Sequence, residues 1–247
     1  MKLSATIITF NEERNIARVI ESLRCADEII VLDSGSTDRT IEIAEKLGAR
    51  VIEGDWPGYA RQKNLAAEKA ENDWILSLDA DEALSEALEA EIWHIKKSGA
   101  EFDAYTMPRL ANYLGKWIHH SGWHPDRKVR MYNRAKAQWI GEFVHESVKV
   151  EGAIGHLEGN LLHFTCDTLS EHLKTLDRYT TLAAQQIVWE KKQITWFRLV
   201  FEPPFTFFRT YFLKRGFLDG IEGLAIANMA ALYTFLKYAK AKYMGGD

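Results

Sequence analysis

The chain has 247 residues, 47% of them hydrophobic and 27% charged, with a formal net charge of −4. That length suits one large domain or a domain with an appendage, and the composition is that of an ordinary globular protein. The acidic balance argues against a general nucleic-acid-binding protein. Cys25 and Cys166 show no metal-ligand spacing and suit a reducing compartment. Met1-Lys2-Leu3-Ser4 runs straight into a strand pattern, so no secretory signal is expected. No stretch of about 20 residues lacks charge, so no transmembrane helix is expected.

Ala5 to Phe10 is β-branched and apolar, a predicted central strand. Asn11 can cap a following helix whose first turn holds Glu12 and Glu13 and whose apolar face carries Ile16, Val19, Ile20 and Leu23. Glu28 to Leu32 predicts a second strand. The turn-forming loop Asp33-Ser34-Gly35-Ser36-Thr37-Asp38 follows it, with Ser36 or Thr37 able to cap the helix carrying Ile41 and Ala44. Gly48 stands where a helix ends, Arg50 to Ile52 reads as a short third strand, and a helix runs from about Tyr59 to Lys69. The next strand, Trp74-Ile75-Leu76-Ser77-Leu78, ends abruptly in Asp79, Ala80, Asp81 and Glu82.

Strand and helix alternate, which implies a parallel, doubly wound sheet. The acidic loops at Asp33 and Asp79 then fall on one edge, at the C-terminal ends of strands, where open α/β sheets bind ligands. Clustered carboxylates there make a candidate site for a hard divalent cation and a diphosphate. Alternatively, Asp81 and Glu82 open the next helix, and Asp33 closes an Asx turn. Arg61 and Lys63 can bring positive charge to phosphates or form a solvated helix face.

Ile7-Ile8-Thr9-Phe10-Asn11-Glu12-Glu13, Val31-Leu32-Asp33-Ser34-Gly35-Ser36-Thr37-Asp38 and Leu78-Asp79-Ala80-Asp81-Glu82 resemble, in this order, the signature of family 2 inverting glycosyltransferases. The resemblance implies a GT-A, Rossmann-like nucleotide-sugar-binding domain with a helical C-terminal extension. It implies a UDP-sugar held by Thr9, Asn11, Glu12, Asp33, Ser34, Gly35, Asp79 and Ala80, with Arg61 and Lys63 as the candidates for positive charge on its phosphates. It also implies Mg²⁺ or Mn²⁺ on Asp79 and Asp81. Residues 1–100 are the expected nucleotide-sugar half, 101–165 the acceptor half and 166–247 the extension.

Between Asp103 and Val150 long helices disappear, and Gly, Trp, His and Tyr become dense. His119, His120 and His124 lack an acid or Cys to complete a zinc set. Val144-His145-Glu146 resembles a motif of the lipopolysaccharide core glucosyltransferases, which implies Glu146 as the base that takes the acceptor's proton. In an extended segment Glu142 shares its face and is the rival. His163 either joins the metal shell, as some GT-A enzymes arrange, or is a satisfied core histidine.

Leu169 to Lys191 predicts an amphipathic helix. The next stretch, from Trp196 to Arg209, interleaves aromatic and cationic residues and holds Pro203 and Pro204. From Lys191 to Lys242 nine Lys and Arg face three Asp and Glu. Such a segment suits an anionic membrane surface or a helical subdomain packed on the core. The resulting expectation is an inverting, metal-dependent transferase of glucose from UDP-glucose to a lipid-linked saccharide, the lipopolysaccharide inner core. It would be cytoplasmic and peripheral on the inner face of the bacterial inner membrane. The alternatives are another UDP-sugar, such as UDP-N-acetylglucosamine, for a capsule or glycoprotein glycan, or a non-catalytic nucleotide-sugar-binding or assembly protein.

Overall fold

The computed structural model describes residues 1–141 and 146–245. The chain divides into two compact units, Met1–Arg109 with Asp126–His163, and Leu110–Pro125 with Phe164–Asp247.

In the first unit β1 (Leu3–Thr9), α1 (Ile16–Glu21), β2 (Glu28–Asp33), α2 (Thr40–Lys46), β3 (Arg50–Glu53), α3 (Tyr59–Glu68) and β4 (Trp74–Asp79) alternate as the pattern predicts. Then come β5 (Glu82–Leu84), α4 (Glu86–Ser98), β6 (Ala104–Tyr113), β7 (Lys116–Ile118), β8 (Asp126–Asn133), β9 (Ala137–Ile140), β10 (Ser147–Val150), β11 (Ile154–His156) and β12 (Leu161–Cys166), of which β7 and the ends of β6 and β12 belong to the second unit. β1 pairs in parallel with β2 and β4, and β2 with β3. β8 is antiparallel to both β4 and β6, and the order continues from β6 to β12, which is antiparallel to β5. The second half is therefore rich in strands, not merely poor in helices. β9 and β10 form a separate hairpin.

Alternation along the strands builds two apolar layers. Ala5, Ile7, Leu76, Leu78 and Met131 pack with Ile16, Val19, Leu88 and Ile92 on one face. Ile30, Ile75, Tyr132 and Trp139 pack with Ala67 on the other. Each fully buried Leu or Ile contributes about 1.5–3 kcal/mol. Two expected caps are absent: α1 starts after Asn15 and α2 after Arg39, neither with a side-chain cap. Gly48 does follow α2 at φ +84°, a left-handed turn that glycine enters without strain.

In the second unit the end of β6 pairs with β7, and Tyr113, Ile118 and Ile226 share a small core. The helices are α5 (Leu169–Trp189), α6 (Trp196–Val200), α7 (Glu202–Phe208) and α8 (Gly220–Met244), with a π turn over Arg209–Leu213 and a 3-10 turn over Gly216–Asp219. Thr168 and Glu171 form a capping box that starts α5. Pro203 and Pro204 lie at the first positions of α7, where a missing N–H costs nothing, so they begin a helix there. Lys240 ties α8 to α5 by donating to Asp177 Oδ1 at 2.6 Å and Thr181 Oγ1 at 2.8 Å. Among the described residues no helix is long and apolar enough to cross a membrane.

Candidate active site

The strand register brings the first unit's polar loops together. Thr9 lies opposite Asp33, and Ile8 opposite Asp79, so β1, β2 and β4 end side by side. Asp33 is fully buried and held by its own loop and by Thr9 of β1. Its Oδ1 accepts from Thr9 Oγ1 at 2.8 Å and Ser36 Oγ at 2.5 Å, and its Oδ2 from the backbone N–H of Gly35 at 2.9 Å and Ser36 at 2.7 Å. Gly35 completes the turn at φ +86°. Asn11, at φ +56°, accepts at Oδ1 from the Thr37 N–H, so it joins the two loops instead of capping α1.

Behind these loops lies a buried charge cluster. Lys63, on α3, is 1% exposed, and its Nζ reaches Asp79 Oδ1 at 2.8 Å and Glu146 Oε1 at 3.4 Å. Arg130, on β8, is equally enclosed, and one Nη lies 2.7 Å from both Asp79 Oδ2 and Glu82 Oε1. Glu82, also buried, accepts from the Asp79 N–H at 3.1 Å and has Arg109 at 3.8 Å. The two cations lie over the Trp139 ring, Lys63 at 4.2 Å and Arg130 at 5.2 Å. Asn64 locks that tryptophan by exchanging two 2.9 Å hydrogen bonds with its backbone.

Burial by itself would raise the Asp79 carboxyl, but Arg130 and Lys63 outweigh it and hold the carboxyl well below the ordinary range. Burial would likewise lower Arg130, and the charges of Glu82 and Asp79 raise it instead. Glu12 moves the other way. Its burial raises it, and the charges of Asp81, Asp38 and Asp79 add to the rise.

Asp81 is about as exposed as Asp79, 33% against 28%, and its Oδ2 faces His163 Nε2 at 3.2 Å. His163 lies on β12 opposite Glu82 of β5, which brings it to the end of β4 from 82 residues away. Among the described residues no group of three or more His, Cys, Asp or Glu is gathered to hold a metal.

Of the residues singled out in the sequence, Thr9, Asn11, Asp33, Ser34 and Gly35 share the β1–β2 edge, and Lys63, Asp79, Asp81, Glu146 and His163 lie around the end of β4. Ser34 Oγ accepts from Gln62 Nε2 at 2.9 Å. Ala80 is buried and Arg61 exposed. Glu142 and His145 lie outside the described residues. Sequence reasoning placed Glu82 in the acidic run without a role in a buried ion pair, and assigned no role to Arg130, Gln62 or Trp139. The available signal was Arg130 at an inward position of Val129-Arg130-Met131-Tyr132, since a buried arginine demands acidic partners.

The site thus offers cations beside carboxylates, a carboxylate–imidazole pair and a further acid, Glu146, at the C-terminal edge of a parallel sheet. It can hold a polyanion and accept a proton. The "Glycosyl transferase family 2" model matches residues 4–148. An uncharacterised glycosyltransferase of Rickettsia typhi is 34% identical over 98% of this chain and 87% of its own length. The lipopolysaccharide core biosynthesis glycosyltransferase LpsC of Rhizobium meliloti is 33% identical over 97% of this chain and 92% of its own length. Among solved structures, residues 1–349 of S. aureus TarS in complex with UDP-GlcNAc superpose with a TM-score of 0.51 at 16% identity, covering 100% of this chain and 93% of that one. The chain belongs to glycosyl transferase family 2 and is a glycosyltransferase with the GT-A fold and a helical C-terminal region.

Proposed function

We propose that this glycosyltransferase is inverting and metal-dependent, and that it moves glucose from UDP-glucose to the inner core of lipopolysaccharide at the cytoplasmic face of the inner membrane. The observation that carries the reading is Lys63, buried between Asp79 and Glu146. It joins the acid proposed as the base to the acid that ends β4 through one cation. The similarity to LpsC supports the acceptor class.

In the reaction an acceptor hydroxyl oxygen attacks the anomeric carbon from the side opposite the diphosphate. The new C–O bond forms as the bond to the diphosphate oxygen breaks. The hydroxyl proton passes to the Glu146 carboxylate, and UDP leaves. Asp33 and its turn shape the nucleoside end of the site. Asp79 keeps both oxygens on Lys63 and Arg130, so it serves through those cations and through the ribose.

Asp81 and His163 are the residues that would hold the metal. One carboxylate and one imidazole, 3.2 Å apart and partly exposed, fit a divalent cation that takes its other ligands from phosphate and water. When bound, the ion supplies positive charge to the departing diphosphate.

The test is UDP release by the purified chain with UDP-glucose, with UDP-N-acetylglucosamine, and with and without a lipopolysaccharide inner-core acceptor. Release that needs UDP-glucose and acceptor together supports the proposal. Release with the acetamido sugar alone replaces the donor. Tight UDP-sugar binding with no release under any acceptor overturns the catalytic assignment.

A further inference from the structure

The helical second unit carries an aromatic stripe that the transfer reaction does not use. Phe197, Phe201, Phe205, Phe208 and Phe212 follow one another at intervals of four, four, three and four residues, which is one face of a continuous helical path. All five are exposed. Phe197 and Phe201 lie in tilted contact at 5.0 Å between ring centres, and Phe208 and Phe212 at 5.2 Å, with Phe205 between the two pairs along the path. The opposite side of α7 packs on α8, where Thr234 donates to Thr206 at 3.4 Å. Beyond the stripe, Leu213, Phe217, Leu218 and Ile221 are exposed as well, Ile221 to 80%. Trp196, at the start of the path, is 74% exposed. A chain of this size rarely leaves so large a contiguous apolar surface in water without a use for it.

Charge tells which occupant fits. Lys191, Arg209, Lys214 and Arg215 are exposed and have no acidic side-chain partner among the described residues. The stretch from Lys191 to Lys242 carries nine cations against three acids, in a chain whose net charge is −4. A second copy of this chain would bring the same positive face against itself. A surface of anionic lipid headgroups complements the cations, and its acyl boundary accepts the phenylalanines.

We propose that residues 196–221 form an interfacial docking face, with Phe201, Phe205, Phe208 and Phe212 entering the headgroup–acyl boundary and Arg209 and Lys214 on anionic headgroups. This rests on the reading above only for the membrane location of the acceptor. It is measured without donor or acceptor, so the two can fail separately.

The experiment is co-sedimentation of the full chain with vesicles of phosphatidylglycerol and phosphatidylethanolamine, against pure phosphatidylcholine, at low and high salt. Quenching of tryptophan fluorescence by brominated lipids is read alongside, comparing the wild type with Trp196→Phe. Binding to anionic vesicles alone, weakened by salt, is expected, because attraction is screened beyond about 8–10 Å in physiological salt. The Arg209→Gln, Lys214→Gln double variant should bind on the order of 30-fold more weakly. Phe205→Ser with Phe208→Ser should lose binding while keeping the wild-type circular dichroism and melting midpoint. The quenched component should disappear with Trp196→Phe. Equal binding to both vesicle types, binding to neither, or a dimer in sedimentation that the serine variant dissolves would each overturn the proposal.

Discussion

Replacing Arg130 by methionine removes the cation shared by the enclosed Glu82 and the partly buried Asp79 and keeps most of the side-chain volume. In the folded protein one guanidinium nitrogen lies 2.7 Å from both Asp79 and Glu82. At an effective dielectric constant near 20, each pair with charge centres about 4 Å apart is worth about 4 kcal/mol before desolvation. Desolvation of two buried ions and one partly buried ion offsets much of that sum. The measurable quantity is the loss when one partner goes, about 3–5 kcal/mol, because the carboxylates remain buried with less compensation. In a chain this long that lowers the melting midpoint by roughly 6–20 °C.

The pH dependence follows from Asp79, whose carboxyl is held below its ordinary value in the fold. Stability from such a group is complete above its unfolded pKa of about 3.9 and is lost as pH falls through the lower folded value. Without Arg130 the folded value rises, and protonation then relieves the uncompensated charge. The deficit of Arg130→Met is therefore full at pH 7 and shrinks toward pH 4. Adding Glu82→Gln should restore part of it, since one orphaned charge disappears. The assay is urea unfolding followed by tryptophan fluorescence at pH 4.5 and 7.5, for wild type, both single variants and the double variant. A loss under about 1 kcal/mol, or a deficit equal at both pH values with no recovery in the double variant, would refute the reasoning.

Glu146→Gln should cut glycosyl transfer by about 10²–10⁴-fold while calorimetric UDP-sugar affinity stays near wild type; an unchanged turnover removes Glu146 as the base. Asp81→Asn and His163→Ala should each weaken UDP binding when Mn²⁺ or Mg²⁺ is present and leave it unchanged in chelator, whereas full transfer in excess chelator excludes the metal. Asp219 is 3% exposed and accepts from the N–H groups of His119 at 3.2 Å and His120 at 3.1 Å, from Ser121 Oγ at 3.2 Å and from His120 Nδ1 at 3.0 Å. Asp219→Asn should destabilise that loop by about 1.5–3 kcal/mol per charged hydrogen bond lost, read as faster amide exchange at His119 and His120. Unaltered protection at those two amides would show that the loop holds itself.

Local pattern in the sequence was enough for the first half of the fold. β1, β2 and β4 are short apolar runs closed by acid, and their alternation with helices dictates a parallel sheet whose loops share an edge, because each crossover returns the chain to the same end. That logic put the loops at Asp33 and Asp79 on one edge, while Thr9 entered through the resemblance. It could not say what each acid touches. Asp33 spends its acceptors on its own turn and on Thr9, and Lys63 lies inside the protein while Arg61, two residues away, lies outside. The first difference depends on hydroxyls and amides 24 or fewer residues away, the second on which face of α3 meets Trp139.

Only the tertiary structure decided the charge cluster. Arg130 reaches Asp79 across 51 residues, Lys63 reaches Glu146 across 83, and His163 reaches Asp81 across 82. Such pairs depend on strand order and register, and a linear pattern records neither. The same holds for the second unit. The sequence displayed aromatics and cations interleaved from Trp196 onward, but the helical path that turns five phenylalanines outward, and the packing of α7 on α8 behind them, arise from contacts between segments far apart in the chain.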